Sequence, residues 1–258
     1  MSAYPGKTSS ANDFLHKAKP QLDVLYAQFT LGTYADLRDP AKNNTGEAIF
    51  QAQYLSGVTN NGQIQNAYPL SSHISMFGDE NGTFIPSMSY YNSYDPADYR
   101  RAERQFFFTS DNLSTKYDPT QSPAAKFDRP YLFKFYDVDA TKVTAKSGLN
   151  WTFYRYADIL LLLTEVNLTL RQLGVSVADN DIIKGINEVR KRAKLPEYRV
   201  SEVDLKAVMS ERAYELIFEQ KMLWDQRRTR NVLVDGVGSF SNLVSFFGCK
   251  PAEFSFSF

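Results

Sequence analysis

The chain has few of the residues that build disulfides and metal sites. Its 258 residues include one cysteine, Cys249, and two histidines, His16 and His73. One cysteine cannot form an internal disulfide, and the histidines show no HxxH or HExxH spacing. The nucleophile-elbow and phosphate-binding patterns GxSxG, GxxxxGK[ST] and GxGxxG are also missing. We therefore expect no metal, no cofactor and no catalytic residues.

The sequence also lacks an excess of either charge and any long apolar run. Lys plus Arg and Asp plus Glu both total 29, so the formal net charge is zero. A general nucleic-acid binder would show a basic excess, and none is present. The longest strongly apolar run, 159–163, is far shorter than the roughly 18 residues that span a bilayer. The polar N-terminus has no apolar core and no lipid-attachment cysteine, so we do not expect it to be a signal peptide.

Aromatic residues are abundant, with 16 Tyr, 19 Phe and 2 Trp making up 14% of the chain. The sequence pattern changes along the chain, from helical to irregular and back to helical. We expect one domain portion over 1–258, with a helix and a short strand in 11–55 and an irregular, ligand-facing insertion in 56–150. A helical hairpin plus a third helix follow in 151–230. Residues 231–258 read as a C-terminal extension whose abrupt aromatic end suggests truncation.

Apolar periodicity locates the helices and one strand. It predicts helices over 11–31, 153–173, 181–193 and 203–228, and alternation predicts a strand over 47–55. Gly174 suits the C-terminal end of the second helix. The short connection between 153–173 and 181–193 predicts an antiparallel hairpin of the tetratricopeptide-repeat kind. The fold class is therefore mainly α, with long irregular aromatic loops and few short strands.

Three glutamates invite an enzymatic interpretation. Glu211, Glu215 and Glu219 share one face of the predicted third helix. A glycosidase uses two carboxylates that converge across a cleft. These three instead stack along one helix beside basic residues, a pattern typical of ion pairs that hold helices together. A polysaccharide hydrolase is thus the weaker interpretation.

A tyrosine cluster is the candidate ligand-binding site. Tyr90, Tyr91, Asn92 and Tyr94 lie between turn signals in the irregular segment, and Tyr68 is a weaker candidate. Exposed aromatic rings on an ordered loop can stack on sugar rings while neighbouring amides bind hydroxyls. Neutral donors favour an uncharged sugar over phosphate or a carboxylate ligand. The alternative is that these tyrosines pack onto the helices and anchor the loop.

Five motifs in order resemble the SusD/RagB family. The segment YRYADILLLLTEV at 154–166 is similar to its RYADVLLLYAEA helix, and INEVRKRAKLP at 186–196 is similar to its IN.VR.RAGLP helix. ERAYELIFE at 211–219 and WDQRR at 224–228 match the next two motifs, and 34–37 with 46–50 resemble the upstream stretch. Gln220 stands where the family usually has Gly, and Thr164 where it commonly has Tyr.

The resemblance implies a surface-exposed lipoprotein of the bacterial outer membrane. Such proteins bind glycans without catalysis and deliver them to a SusC-like TonB-dependent transporter during polysaccharide utilisation. The fold implied is a tetratricopeptide-like helical scaffold with irregular ligand-facing insertions. Members are about twice as long, so the chain resembles a C-terminal portion, and the signal peptide and lipidated cysteine would lie outside it. A peptide or other nutrient, or a helical protein-interaction scaffold, remain alternatives.

The polar residues within these motifs are expected to be structural. They sit beside apolar stripes, where buried charges must be paired. The set comprises Arg155, Asp158, Glu165, Asn187, Arg190, Arg192, Glu211, Arg212, Glu215 and Glu219.

Overall fold

The computed structural model of the chain describes residues 8–69, 80–110, 126–140, 146–229, 231–234 and 239–242. Within these residues the helices are α1 Thr8–Leu25, α2 Met88–Ser93, α3 Tyr156–Gln172, α4 Asp179–Arg192, α5 Leu205–Glu215 and α6 Met222–Thr229. The strands are β1 Ala48–Ala52, β2 Phe107–Ser110, β3 Lys126–Leu132, β4 Trp151–Arg155, β5 Asn231–Val234 and β6 Ser239–Asn242. They form three antiparallel pairs, β1 with β4, β2 with β3 and β5 with β6. The strand pattern at 253–258 lies outside the described residues.

The chain divides into two compact units. The helical unit comprises Met1–Gln28, Ala157–Lys191 and Pro196–Phe258. The aromatic unit comprises Phe29–Tyr156 and Arg192–Leu195. Most of the helices belong to the first unit, whereas β1 to β4 and α2 belong to the second.

The predicted helical hairpin is present as α3 and α4. Gly174 ends α3 with a φ of 87°, a conformation that glycine adopts without steric cost. The two helices pack closely at Gly185, where an added Cβ would lie 2.3 Å from the Leu160 carbonyl oxygen. Thr164 joins the same contact, because its Oγ1 accepts a hydrogen bond from the Ile186 N–H at 3.0 Å. A small residue and a hydroxyl thus permit the hairpin's close approach.

The predicted start of α3 at residue 153 is wrong, because the helix begins at Tyr156 and a strand precedes it. Residues 151–155 form β4, which pairs with β1 from Ala52 opposite Trp151 to Ala48 opposite Arg155. Aromatic and β-branched residues favour strands when a partner strand is available. Periodicity alone did not detect that partner, so it assigned 153–155 to the helix.

The predicted third helix is two helices with a break at 216–221. Asp204 caps α5 by accepting a hydrogen bond from the Ala207 N–H at 2.8 Å. Phe218 and Gln220 both have a φ of 59°, in the left-handed region that interrupts a helix. Gln220 is the position where the resembling family usually has Gly, and its backbone conformation gives that preference a physical reason.

The first helix is also shorter than predicted. It ends at Leu25 instead of residue 31, and Ala27 follows with a φ of 65°. Pro20 lies inside α1. Proline removes one helical hydrogen bond. Phe14, which belongs to the apolar stripe of this helix, is exposed.

The described parts of 56–150 are largely irregular, but they contain the short helix α2. Ser87 caps the short helix α2 by accepting a hydrogen bond from the Tyr90 N–H at 3.2 Å. The expectation of a loop at the tyrosine cluster is therefore wrong, since a serine cap sets a helical turn there.

Candidate functional site

Helix α2 carries most of the predicted ligand-binding residues. Tyr90 and Tyr91 are half-buried, and Asn92 is exposed. Tyr94 follows the helix and is buried, with 1% of its surface exposed. The structure thus brings these four residues together, but it does not give them equal access to solvent.

Tyr94 supports the cluster from beneath. Its ring packs edge-on against Tyr90, with ring centroids 5.5 Å apart, and against Phe107 at 5.3 Å. The hydroxyls of Tyr90 and Tyr94 lie 3.3 Å apart. Burial, together with neighbouring Tyr90, raises the pKa of the Tyr94 hydroxyl well above its ordinary value. A neutral, buried ring with no free face orders Tyr90 and offers no surface for stacking.

Tyr91 contacts two neighbours. Its ring is nearly perpendicular to that of Phe107, with centroids 5.3 Å apart. The Arg101 guanidinium carbon lies 4.8 Å from the Tyr91 ring centroid, a cation–π arrangement. Arg101 therefore covers one face of Tyr91. Arg101 was not predicted as a site residue, because residue spacing does not show that it packs against Tyr91.

Tyr68 belongs to a different cluster in the aromatic unit. It is 1% exposed, and its ring packs edge-on against Tyr136 at 5.0 Å. Its hydroxyl donates a hydrogen bond to the Asp137 carbonyl oxygen at 3.1 Å. Burial raises the pKa of the Asp137 carboxyl, although the Ser147 hydroxyl donates to it at 2.6 Å. At this position Tyr68 is a core residue.

A polar pocket of about 330 Å³ lies elsewhere in the aromatic unit and was not foreseen. Its lining has no aromatic side chain and consists of Gly32, Asp36, Leu37, Lys42, Asn43, Thr45, Gly46, Glu47, Ala48, Gln51, Leu149, Thr152 and Arg155. Buried Glu47 is bound by the Nη1 atoms of Arg155 at 3.0 Å and Arg192 at 2.6 Å. The volume would suit one sugar ring, but the pocket offers no ring for stacking.

The ribbon formed by β1 and β4 presents three exposed aromatic side chains. These ribbon aromatics are Phe50, Phe153 and Tyr154, with exposed fractions of 58%, 42% and 48%. The rings of Phe50 and Phe153 lie 5.5 Å apart with an angle of 30° between their planes. They are absent from the sequence-based site because Phe153 and Tyr154 were assigned to a buried helix.

In the helical unit, the family-type polar residues form an ion network centred on Arg212. Arg212 donates from Nη1 to Asp158 at 2.7 Å and from Nε to Asp225 at 2.8 Å. Arg228 donates from Nε to Asp225 at 2.8 Å and from Nη2 to Glu165 at 2.8 Å. Three helices are linked in this way, because Asp158 and Glu165 lie on α3, Arg212 on α5 and the others on α6.

The network favours the charged forms of Asp158, Arg212 and Arg228. Burial alone would raise the pKa of Asp158, but Arg212 and Lys221 lower it below its ordinary value. Burial alone would lower the pKa of Arg212, but Asp158 and Asp225 raise it. Burial alone would also lower the pKa of Arg228, but its main partner Glu165 raises it.

The remaining family-type residues are also buried or bonded. Arg190 donates from Nη1 to Glu211 at 3.1 Å. Asn187 exchanges two hydrogen bonds with the Tyr198 backbone, at 2.9 and 2.8 Å. Glu215 and Glu219 are buried, and neither lines the polar pocket. Glu219 lies beyond the end of α5, in the break at 216–221, so the expectation that Glu211, Glu215 and Glu219 share one helix face is wrong. None of the three lines that pocket, so they do not converge across it as a hydrolase pair would.

Two further features concern metals and membranes. Within the described parts of the chain, no group of three or more His, Cys, Asp and Glu residues is arranged to hold a metal ion. Among the helices in those same parts, none is long and apolar enough to cross a bilayer.

Known proteins are similar to this chain in sequence and fold. The model of the SusD family matches residues 109–246. SusD-like protein P2 of Formosa agariphila is 24% identical over 269 residues, which cover 88% of this chain and 51% of that protein. A SusD superfamily protein from Parabacteroides distasonis superposes with a TM-score of 0.81 at 29% identity, covering 94% of this chain and 52% of that chain.

A third relative shares the fold at lower identity. Surface glycan-binding protein A from Bacteroides thetaiotaomicron, solved in complex with laminarihexaose, has a TM-score of 0.59 at 20% identity. The match covers 86% of this chain and 51% of that one. The chain therefore spans about half the length of the relatives it matches. The predicted fold class, a mainly α, tetratricopeptide-like scaffold with few short strands, is confirmed.

The family match extends over more than half of the chain, and it includes the α3–α4 hairpin and the ion network centred on Arg212. The chain belongs to the SusD family.

Proposed function

We propose that the chain binds glycans, without catalysis, at a site on α2. We define the α2 site as Tyr90, Tyr91, Asn92 and Arg101. The observation that carries the proposal is the ordered cluster itself. Tyr90 rests on buried Tyr94, Tyr91 lies against Phe107, and exposed Asn92 adds an amide beside them. Rings fixed from behind lose little conformational freedom when a ligand binds.

Family membership supports this class of ligand. A fold relative from Bacteroides thetaiotaomicron is named a surface glycan-binding protein and was solved with laminarihexaose. By analogy with base–aromatic stacking, one sugar ring on one aromatic side chain contributes about 1–3 kcal/mol. With few contacts available, we expect dissociation constants that are micromolar or weaker.

The same proposal extends to the cell surface. We expect the protein to act as a lipoprotein of the outer membrane that passes the bound glycan to a SusC-like TonB-dependent transporter. Copurification of such a transporter from outer-membrane extracts tests this step. Recovery of the protein only from fractions without a transporter would contradict it.

Affinity gel electrophoresis with a panel of soluble polysaccharides tests glycan binding. The parent chain should be retarded by at least one polymer, and Tyr91→Ala should be retarded several-fold less with its unfolding transition unchanged. Tyr154→Ala, which removes an exposed tyrosine from the ribbon, is the matched control and should behave like the parent. Retardation of the parent by no polymer would contradict the proposal, as would release of reducing ends that one Glu or Asp substitution abolishes.

A protein-interaction scaffold is the second candidate, and the ribbon aromatics favour it. Phe50, Phe153 and Tyr154 are exposed on a paired ribbon, where Phe50 contacts Phe153 and lies opposite Tyr154. Exposed apolar patches of this kind often mark protein contacts. If Tyr154→Ala reduced binding of a polysaccharide while Tyr91→Ala did not, the glycan site would have to move to the ribbon. If only a protein partner were lost, the scaffold role would replace glycan binding.

A further inference from the structure

Arg101 is a half-buried cation whose partners are an aromatic ring and one backbone carbonyl. Its Cζ lies 4.8 Å from the Tyr91 ring centroid, and its Nη1 donates to the Tyr94 carbonyl oxygen at 3.4 Å. A guanidinium carries five N–H donors and no acceptor. Most of these donors therefore remain for solvent or for a ligand.

The carboxylates nearest to Arg101 in the chain are each turned to another group. Asp98 accepts from Nε and Nη2 of Arg100, at 2.9 and 2.7 Å. Asp95 accepts from the Ala97 N–H at 2.8 Å, and Glu103 accepts from the Thr109 N–H at 3.0 Å and hydroxyl at 2.9 Å. Within the residues that the structure describes, no carboxylate lies at ion-pair distance from Arg101.

This contrasts with other buried arginines of the chain. Arg100, one residue earlier, is fully buried and bound through two of its nitrogens by Asp98. Arg155 and Arg192 share Glu47. Partial burial of a charge has a desolvation cost that an oppositely charged partner offsets. Arg101 has no such partner in the described part of the chain, and its guanidinium lies beside the half-buried ring of Tyr91 on α2.

We propose that the ligand of the α2 site is an anionic saccharide, and that Arg101 binds its carboxylate or sulfate group. Guanidinium binds a planar or tetrahedral oxyanion through two parallel N–H···O bonds. The sugar ring then contacts Tyr90 and Tyr91 while its acidic substituent reaches Arg101. This inference rests on the proposed glycan binding, and it replaces the uncharged ligand expected from sequence, which did not take Arg101 into account.

Two matched polymer pairs test the inference on the full 258-residue chain. Polygalacturonate is compared with its fully methyl-esterified form, and dextran sulfate with dextran, so that the members of each pair share a backbone and differ chiefly in charge. Isothermal titration should give at least about tenfold tighter binding to the charged member of one pair, and that preference should shrink as salt screens the contact. The pair that responds identifies the acidic group as carboxylate or sulfate.

Variants assign the preference to Arg101. Arg101→Gln should lose about tenfold or more in affinity for the charged polymer and retain the parent's affinity for its neutral counterpart. Arg101→Lys, which keeps the charge but not the planar fork, should fall between the two and serves if the glutamine variant does not fold. Lys206→Gln, which removes an exposed cation from α5 in the helical unit, is the charge-matched control and should bind like the parent.

Failure of the anionic ligand and failure of glycan binding give different results. Equal affinity for both members of each pair would overturn the inference and leave glycan binding intact. The inference is likewise overturned if Arg101→Gln keeps the parent's preference, or if Lys206→Gln loses as much of it. If the parent binds none of the four polymers nor any neutral polysaccharide of the larger panel, the proposed function itself fails.

Discussion

The guanidinium of Arg212 lies between two buried carboxylates, donating to Asp158 at 2.7 Å and to Asp225 at 2.8 Å. All three side chains are at least nine-tenths buried. Removal of the arginine would leave two buried carboxylates each short of one counter-ion, with Lys221 still paired to Asp158 and Arg228 to Asp225. We therefore predict that Arg212→Ala lowers the free energy of unfolding by about 3–5 kcal/mol, measured by urea denaturation.

Arg171→Ala is the control for this loss. Arg171 pairs with Asp179 at 2.7 Å, but Arg171 is only half-buried and Asp179 is exposed. The same substitution there should cost about 0–1 kcal/mol. An Arg212→Ala variant that keeps the parent's stability would show that the network is not structural, and loss of ligand binding in that variant would place Arg212 in a binding site.

The lowered pKa of Asp158 predicts how stability depends on pH. Arg212 and Lys221 hold that pKa below its ordinary value of 3.8 in the folded chain. The unfolded chain therefore binds the proton more readily, and the contribution of Asp158 is fully present above pH 3.8. It is lost as the pH falls through the folded pKa. The stability difference between the parent and Asp158→Asn should thus be largest near neutral pH and shrink below pH 3.8; a difference that is constant with pH would contradict the assignment.

Gln220 should be replaceable by glycine with a gain in stability. It is exposed and has a φ of 59°, which costs a non-glycine residue about 1–2 kcal/mol. Part of the gain is offset by the greater freedom of glycine in the unfolded chain. We expect Gln220→Gly to raise the free energy of unfolding by about 0.5–1 kcal/mol.

Gln21→Gly is the matched control for that glycine. Gln21 is exposed in the interior of α1, where the backbone is helical and glycine is unfavourable. It should lower the free energy of unfolding by about 0.5–1 kcal/mol. The strain interpretation fails if both substitutions lower stability by similar amounts.

Gly185 should tolerate no larger residue. The backbone oxygen of Leu160, 2.3 Å from the position of an added Cβ, cannot move without shifting α3. We predict that Gly185→Ala costs about 1–3 kcal/mol or more, measured as a lower melting temperature. Ala207→Gly on α5 should cost only the helix propensity of about 1 kcal/mol. Stability unchanged by Gly185→Ala would mean that the helices are not in close contact there.

The helical hairpin could be predicted because its information is local. Apolar spacing located α3 and α4, and Gly174 marked the end of α3 where a positive φ is needed. The break near Gln220 could not be predicted in the same way. Neither Phe218 nor Gln220 is a residue type that favours a positive φ, so tertiary packing overrides the local preference there.

The site was predicted in part, for a similar reason. The residues of α2 could be selected by type, since tyrosine and asparagine suit neutral polar ligands. Their accessibility depends on which ring lies underneath, and the sequence does not show that Tyr94 packs against Phe107. The position of Arg101 over Tyr91 is likewise a tertiary contact, which residue spacing did not reveal.

Hydrogen–deuterium exchange with and without a bound polysaccharide tests glycan binding at the α2 site most directly. The amides of 87–102 should exchange more slowly when the ligand is present, because α2 and the turn that carries Arg101 would be covered. The amides of β1 and β4 should exchange as in the free chain. Protection of the ribbon with no change at 87–102, or no protection anywhere at saturating ligand, would contradict binding at α2.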